Sequence, residues 1–132
     1  MADTIVVVAM RREDIMTLVD LHEYLRRQYG AEGTKAFKED PGIVVFARPD
    51  NAKWFAATKN IRCSSVDVPG DGRIDILNVQ LNPRLVSSLR VREGFRPAWH
   101  MNRNKWVTVL LDGSVSDDEI RDLLEKAYKY AG

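Results

Sequence analysis

The sequence has few of the residues that build disulfide frameworks and metal sites. Its 132 residues include one cysteine, Cys63, and two histidines, His22 and His100. A single cysteine excludes an internal disulfide, which favours a reducing compartment. Two histidines and one cysteine without ligand spacing exclude an ordinary structural zinc site. We therefore predict neither a metal nor a cofactor.

Long hydrophobic runs are also missing. The apolar run that begins at Ile5 is over by Arg11, far short of the about 20 residues that a membrane-spanning helix needs. No basic region precedes this run, so we expect no signal peptide and no membrane contact. The sequence predicts a cytoplasmic protein. Its β-branched residues make the run, residues 4–10, a candidate extra edge strand and self-association surface.

A strong charge of either sign is absent, since the formal net charge is +1. The basic residues are nevertheless unevenly spread. Residues 84–106 contain a single acid, Glu93, and these cations: Arg84, Arg90, Arg92, Arg96, Arg103 and Lys105. A local positive excess of this kind suits contact with phosphate groups. The alternative is a solvated helix face followed by a polar turn.

Hydrophobic periodicity and capping residues outline one domain, residues 1–132. Helical spacing covers residues 12–29, and period-two or apolar runs predict strands at 42–48, 53–60 and 74–81. Asn82 and Pro83 favour the start of a second helix, and Ser116 with Glu119 forms the capping-box pattern of a third. Short turns between strands imply antiparallel pairing. We predict an α+β two-layer sandwich, with an antiparallel sheet of about five strands and helices on one face, in the order α-β3-α-β2-α.

The most distinctive stretch is residues 96–113, RPAWHMNRNKWVTVLLDG. Its second half alternates, with Val107, Val109 and Leu111 on one side and Trp106, Thr108 and Leu110 on the other. This period predicts a β-strand, and the polar segment before it predicts a hairpin with a basic tip. We expect Trp106, like Trp54, to pack inside the protein, and the position of Trp99 stays open.

Three segments of the chain resemble the MmcQ/YjbR family. They are DNAKWFAA at residues 50–57, DILNVQLNPRLVSSLR at 75–90 and HMNRNKWVTVLLDGSVSDDEIRDLLEKAYKY at 100–130. The resemblance implies a small α+β fold similar to frataxin and to type III secretion chaperones. It also implies DNA binding through a double-wing motif. The chain departs from the family in its residues 4–10, an addition, and in Ala36-Phe37, where the family usually has Pro-Phe.

If the two hairpins are wings, their tips are the expected DNA-binding sites. The first tip offers Arg48 and Lys53, and the second offers Arg96, His100, Asn102, Arg103 and Lys105. Lysine and arginine at these positions would contact phosphates without reading the base sequence. The alternative for His100, Met101 and Asn102 is a structural turn held by side-chain hydrogen bonds.

Catalysis is not expected from this sequence. His100 beside Asn102 could serve as a base with an orienting partner, but no motif supplies a nucleophile around Cys63 or around Ser64 and Ser65. The prediction is a binding protein rather than an enzyme, with nucleic acid as the partner. The competing hypothesis is a protein-interaction module of secretion-chaperone-like fold.

Overall fold

In the computed structural model, which describes residues 15–132, helices and strands alternate along the chain. The elements are α1 (Leu18–Tyr29), β1 (Val44–Ala47), β2 (Trp54–Arg62), β3 (Arg73–Gln80), α2 (Pro83–Leu89), β4 (Phe95–Pro97), β5 (Trp106–Leu110) and α3 (Asp117–Tyr130). The strands form one sheet in the order β1-β2-β3-β5-β4, and every neighbouring pair is antiparallel. The predicted α+β fold is confirmed. The suggested extra strand and self-association surface at residues 4–10 lie outside the described residues.

Local capping signals set most helix boundaries. Gly30 ends α1 in the left-handed conformation at φ 65°, where glycine avoids the strain of a side chain. The Asn82 side chain accepts a hydrogen bond from the Arg84 N–H and begins α2, as predicted. The predicted start of α1 is wrong, because residues 15–17 are not helical and Thr17 caps a helix that begins at Leu18.

The main core lies between the helices and one face of the sheet. All three helices contribute buried side chains to a single cluster with the strands. Its members include Leu21, Leu25, Val86, Leu89, Ile120 and Leu124 from the helices, and Phe46, Phe55, Leu77, Val79, Val107 and Val109 from the strands. One continuous core of this kind explains why three short amphipathic helices are stable here.

The opposite face of the sheet is covered as well. Val45 and Ala57 form part of a small cluster with the partly buried rings of Phe37, Trp54 and Trp99. A neighbouring cluster contains Ile61, Cys63, Val66, Ile74, Ile76 and Leu110. All five residues of β5 are therefore buried, including Thr108. Because loops cover this face, the side chains on both faces of β5 are buried, and their alternation does not mark exposed positions.

The sheet has one irregularity in strand pairing. The pairing of β3 with β2 and β5 is continuous through Leu77 and Asn78. The register shifts between β1 and β2, where Phe46 pairs with Ala56 and Ala47 pairs with Trp54. The extra residue, Phe55, turns Trp54 onto the loop-covered face while Phe55 stays in the main core.

The pairing places both hairpin connections at one end of the sheet. Residues 48–53 join β1 to β2, and residues 98–105 join β4 to β5. The end of β3 connects them, because Val79 pairs with Ala56 on one side and Gln80 pairs with Trp106 on the other. The start of α2 leaves from the same end. We call this region the tip end of the sheet.

Candidate nucleic-acid interface

The second tip, residues 98–105, is a tight turn built around Asn102. The Asn102 side chain accepts a hydrogen bond from the Asn104 N–H at 2.8 Å. Its backbone carbonyl accepts one from the Trp106 N–H at 2.9 Å. These bonds are those of an Asx turn. The geometry favours the structural interpretation of Asn102 over base recognition.

A buried polar triad fixes the start of this tip to the sheet. The Thr108 hydroxyl donates to the Asn78 side-chain oxygen at 2.5 Å, and the Asn78 amide donates to the Trp99 carbonyl at 2.9 Å. The Trp99 N–H donates back to the Thr108 hydroxyl at 2.9 Å. Each member is satisfied by the other two, which makes the burial of Asn78 and Thr108 tolerable.

His100 lies within a series of contacts between aromatic rings. It is exposed and adopts a left-handed backbone at φ 65°. Its ring lies 5.2 Å from that of Trp99 and 5.1 Å from that of Phe37, and Phe37 in turn lies 5.6 Å from Trp54. We call these four residues the aromatic row. It runs along the loop-covered face of the sheet from the first hairpin to the second tip.

Arg48, a predicted contact residue of the first tip, is engaged inside the protein. Its guanidinium makes two hydrogen bonds to Asp50, at 2.9 and 2.7 Å, and one to the Tyr128 carbonyl at 2.7 Å. It also lies over the Tyr128 ring at 4.1 Å. The hydrogen bonds with Asp50 raise the pKa of Arg48 and lower the pKa of Asp50. Arg48 thus fastens the first tip to the end of α3.

Arg96 is engaged in a similar way. Its guanidinium donates to the Val66 carbonyl at 2.8 Å, to the Phe95 carbonyl at 2.8 Å and to the Asp67 carbonyl at 3.3 Å. These bonds tie β4 to the short 3-10 turn at Cys63–Val66. Backbone carbonyls are neutral partners, so the charge of Arg96 remains while its donors are largely occupied.

The remaining predicted cations, Lys53, Arg103 and Lys105, are exposed. Within residues 15–132 none of the three forms an ion pair with a carboxylate. Arg103 makes one bond to the Ala98 carbonyl at 3.3 Å, and the Lys105 carbonyl accepts from the Leu81 N–H at 2.8 Å. That last bond places Lys105 beside the start of α2.

The helix α2 adds two arginines that the site prediction missed. Arg84 lies in its first turn, and Arg90 donates to the Arg103 carbonyl at 3.5 Å. We call Arg84, Arg90, Arg103 and Lys105 the basic cluster. No ion pair to a carboxylate engages any of the four within the described part of the chain. The positive excess of residues 84–106 was the signal that could have found all four.

Two other ionisable side chains lie away from the tip end or inside the core. His22 on α1 shares a 2.8 Å hydrogen bond with the Thr58 hydroxyl, and burial lowers the pKa of His22. Cys63 is a buried free thiol. Residues 15–132 contain no group of three or more candidate metal ligands. Within the same range, no helix combines the length and the apolar character needed to cross a membrane.

The chain is similar in sequence to one protein family and to uncharacterized bacterial proteins. A family model described as YjbR matches residues 26–130. The uncharacterized protein YyaQ of Bacillus subtilis is 25% identical over 86% of this chain and 97% of its own length. The uncharacterized protein YjbR of Escherichia coli K12 is 36% identical over 42% of this chain and 48% of its own length.

Solved structures of bacterial proteins have the same fold as this chain. A crystal structure of a Pseudomonas syringae protein has a TM-score of 0.83 at 32% identity, covering 89% of this chain and all of that one. A Deinococcus radiodurans protein shares the fold, with a TM-score of 0.64 at 24% identity over 87% of this chain and 78% of its own. The family match extends from the last turn of α1 to the end of α3, and the chain therefore belongs to the YjbR family.

Proposed function

We propose that this protein is a small DNA-binding module that contacts phosphates with the second hairpin tip and the adjoining helix α2. The observation that carries the proposal is the basic cluster. Four cations from the second tip and α2 lie at the tip end, and none of them is ion-paired with a carboxylate within the described residues. Counterion release from DNA phosphates supplies the binding free energy for such a surface.

The exposure of the cluster supports this proposal. Arg84, Arg103 and Lys105 are exposed, and Arg90 is partly exposed. Elsewhere on the surface, exposed cations on the long helices are paired with acids one turn away, such as Arg121 with Asp118 and Lys126 with Asp122. An unpaired cation keeps its full charge for a phosphate, whereas a paired cation must first give up its carboxylate.

The first hairpin has a smaller part in the proposed interface. Lys53 is exposed and flanks the first tip, while Arg48 and Arg96 hold the fold through their own hydrogen bonds. We therefore assign phosphate contact to Lys53 and to the basic cluster. Neighbouring strands of a sheet lie about 4.8 Å apart, and four such spacings separate the edge strands β1 and β4. The outer strands of the two hairpins are therefore roughly 19 Å apart.

The proposed role is binding without catalysis, in the cytoplasm. Covalent catalysis with His100 as the base would need a nucleophilic side chain beside it. The rings next to His100 are Phe37 and Trp99, and Cys63 is buried in a cluster with Val66 and Ile74. The surroundings of His100 thus support a contact surface more than a reaction centre.

The salt dependence of DNA binding tests the proposal. We expect log affinity for a short DNA duplex to fall linearly with log salt, by about 0.9 for each phosphate neutralised. The double substitution Arg103→Ala with Lys105→Ala should weaken binding on all sequences alike and reduce the slope by roughly one unit per lost contact. Thermal stability should stay nearly constant, because exposed unpaired charges contribute little to folding.

A matched control separates local contact from net charge. Arg62→Ala with Arg121→Ala removes the same number of positive charges away from the tip end, because exposed Arg62 ends β2 at the opposite end of the sheet and exposed Arg121 lies near the start of α3. This control should bind DNA with the parent slope. If both double variants lose affinity equally, only net charge matters, and the basic cluster is not the interface.

An apolar groove favours one alternative, a protein-interaction module. Leu81, Leu85 and Tyr130 line a cavity of about 360 Å³ between α2 and the end of α3, and Tyr130 is 43% exposed. Apolar grooves of this kind accept a helix or peptide from a partner. Absence of any measurable DNA affinity at low salt would leave this alternative as the better proposal.

A further inference from the structure

The aromatic row forms a continuous surface that the phosphate contacts do not use. Trp54, Phe37, His100 and Trp99 touch in sequence with ring centroids 5.1–5.6 Å apart. His100 is exposed, and the other three are partly exposed. Phe37, Trp54 and Trp99 pack on Ile43, Val45 and Ala57 of the loop-covered face and keep part of their ring surface accessible, so the row combines a fixed base with accessible aromatic surface.

Hydrogen bonds hold the segments that carry Phe37 and Trp99 in place. Thr34 and Val45 exchange backbone hydrogen bonds of 2.9 and 2.8 Å, which fasten the loop that contains Phe37 to the edge strand β1. The triad of Asn78 and Thr108 fixes the backbone of Trp99. A pre-positioned surface binds without the entropic cost of ordering loops.

The backbone of His100 sets the direction of its ring. His100 has φ 65°, a left-handed conformation that is uncommon for residues with a side chain. This conformation directs the imidazole between Phe37 and Trp99, where it completes the row. Without His100 the row would be interrupted between its two halves.

Cations accompany the rings along the chain. Lys53 precedes Trp54, Lys35 and Lys38 flank Phe37, and Arg103 follows His100; all four are exposed. In the described part of the chain none of them forms an ion pair. Of the three acids between α1 and β1, Asp40 is paired with Lys59, which lowers the pKa of Asp40, and Glu32 and Glu39 are exposed.

We infer that the nucleic acid bound by this protein is single-stranded and that its bases stack on the aromatic row. The inference rests on the proposed function, since it assumes that the basic cluster holds phosphates. In a duplex the faces of the bases are covered by their neighbours, so exposed rings gain little from it. In a single strand the faces are free, and aromatic rings interleaved with cations form the usual platform.

Three oligonucleotides test the inference: a 12-residue oligothymidylate, a 12-residue abasic strand with the same phosphates, and a 12-base-pair duplex. We expect the oligothymidylate to bind at least about tenfold more tightly than the abasic strand, which corresponds to about 1.4 kcal/mol. The substitution His100→Asn should remove most of this difference, because asparagine tolerates the left-handed backbone but has no ring. Phe37→Leu, which keeps an apolar side chain, should act in the same direction.

Tyr130→Leu is the matched control, because Tyr130 is an exposed ring on α3 outside the row. It should leave all three affinities unchanged. The oligothymidylate should also quench tryptophan fluorescence in the parent, since Trp54 and Trp99 lie in the row. Equal binding of the oligothymidylate and the abasic strand, or tighter binding of the duplex, would overturn base stacking while leaving phosphate contact intact. Failure of all three ligands to bind would overturn the proposed function and this inference together.

Discussion

His22 is an ionisable side chain partly buried against the helix-side core. Its ring lies 5.0 Å from that of Phe46, and its Nε2 atom shares a hydrogen bond with the Thr58 hydroxyl. Burial lowers the pKa of His22, and the negative charge of Asp75 opposes part of that effect. The folded protein therefore binds a proton at His22 less readily than the unfolded chain does.

This difference makes stability depend on pH in a defined direction. Since the unfolded chain binds more protons, stability attributable to His22 is complete above the unfolded pKa of about 6.5 and is lost as pH falls below it. We expect the melting temperature of the parent to decrease more than that of His22→Gln between pH 7.5 and 5.5. Glutamine keeps a donor and an acceptor for Thr58, and His100 is common to both proteins. If the melting temperatures of the two proteins depend on pH identically, protonation of His22 does not affect the stability of the fold.

For two arginines of the predicted site, the sequence could not show whether the side chain is free for a ligand or bound within the protein. Arg48 and Arg96 have the composition and hairpin context of phosphate contacts, as Lys53 does. Their guanidiniums instead bind the Tyr128 and Val66 carbonyls, which lie 80 and 30 residues away in sequence. Periodicity and spacing do not predict such distant partners. Asn102 differs, because its turn-forming bonds lie within four residues and were an open alternative from sequence.

Helix boundaries show the same division between local and distant causes. The cap of α2 at Asn82 and the end of α1 at Gly30 follow from adjacent residues and were predicted. For α3, Ser116 accepts from the Glu119 N–H as predicted, but the Glu119 side chain binds Arg92 at 2.7 and 3.1 Å instead of completing the box. The missing half of the capping box depends on a residue outside the helix.

The start of α1 rests on a complete capping box. The Thr17 hydroxyl accepts from the Asp20 N–H at 3.1 Å, and the Asp20 carboxylate accepts from the Thr17 N–H at 3.3 Å. We expect Thr17→Ala to lower the free energy of unfolding by about 1 kcal/mol, because it leaves a helix N–H unsatisfied. Urea denaturation measures the change. Thr17→Ser, which keeps the hydroxyl, is the control and should retain most of the stability; an equal loss in both variants would contradict the capping role.

At the scale of the whole molecule, the loop-covered face explains what the sequence reading left open. The order of helices and strands along the chain follows from amphipathic patterns and turn residues, and it was predicted. The cover on the other face comes from single residues in irregular segments, chiefly Phe37, Trp99 and Met101. No periodic signal marks such residues. The same residues bury Thr108, and the buried hydroxyl needs its hydrogen bond to Asn78. They also bring the His100 ring into contact with Phe37.

The tip end is likewise a product of the whole sheet. Antiparallel pairing through β3 and β5 brings residues 48–53, residues 98–105 and the start of α2 to one end. The sequence placed cations on each hairpin, and the fold shows that α2 contributes to the same surface. The central claim is therefore that nucleic acid binds at this end, on the basic cluster, and not on the helices α1 and α3.

Backbone amide chemical shifts, followed while the 12-residue oligothymidylate is titrated into the protein at low salt, test that claim most directly. The largest changes are predicted at residues 82–90 and 98–106, with smaller changes at 35–38 and at Lys53. Raising the salt concentration should reverse the changes in the first two segments. Shifts confined to α1 or to the first half of α3, residues 117–123, or no shifts at saturating oligonucleotide, would contradict binding at the tip end.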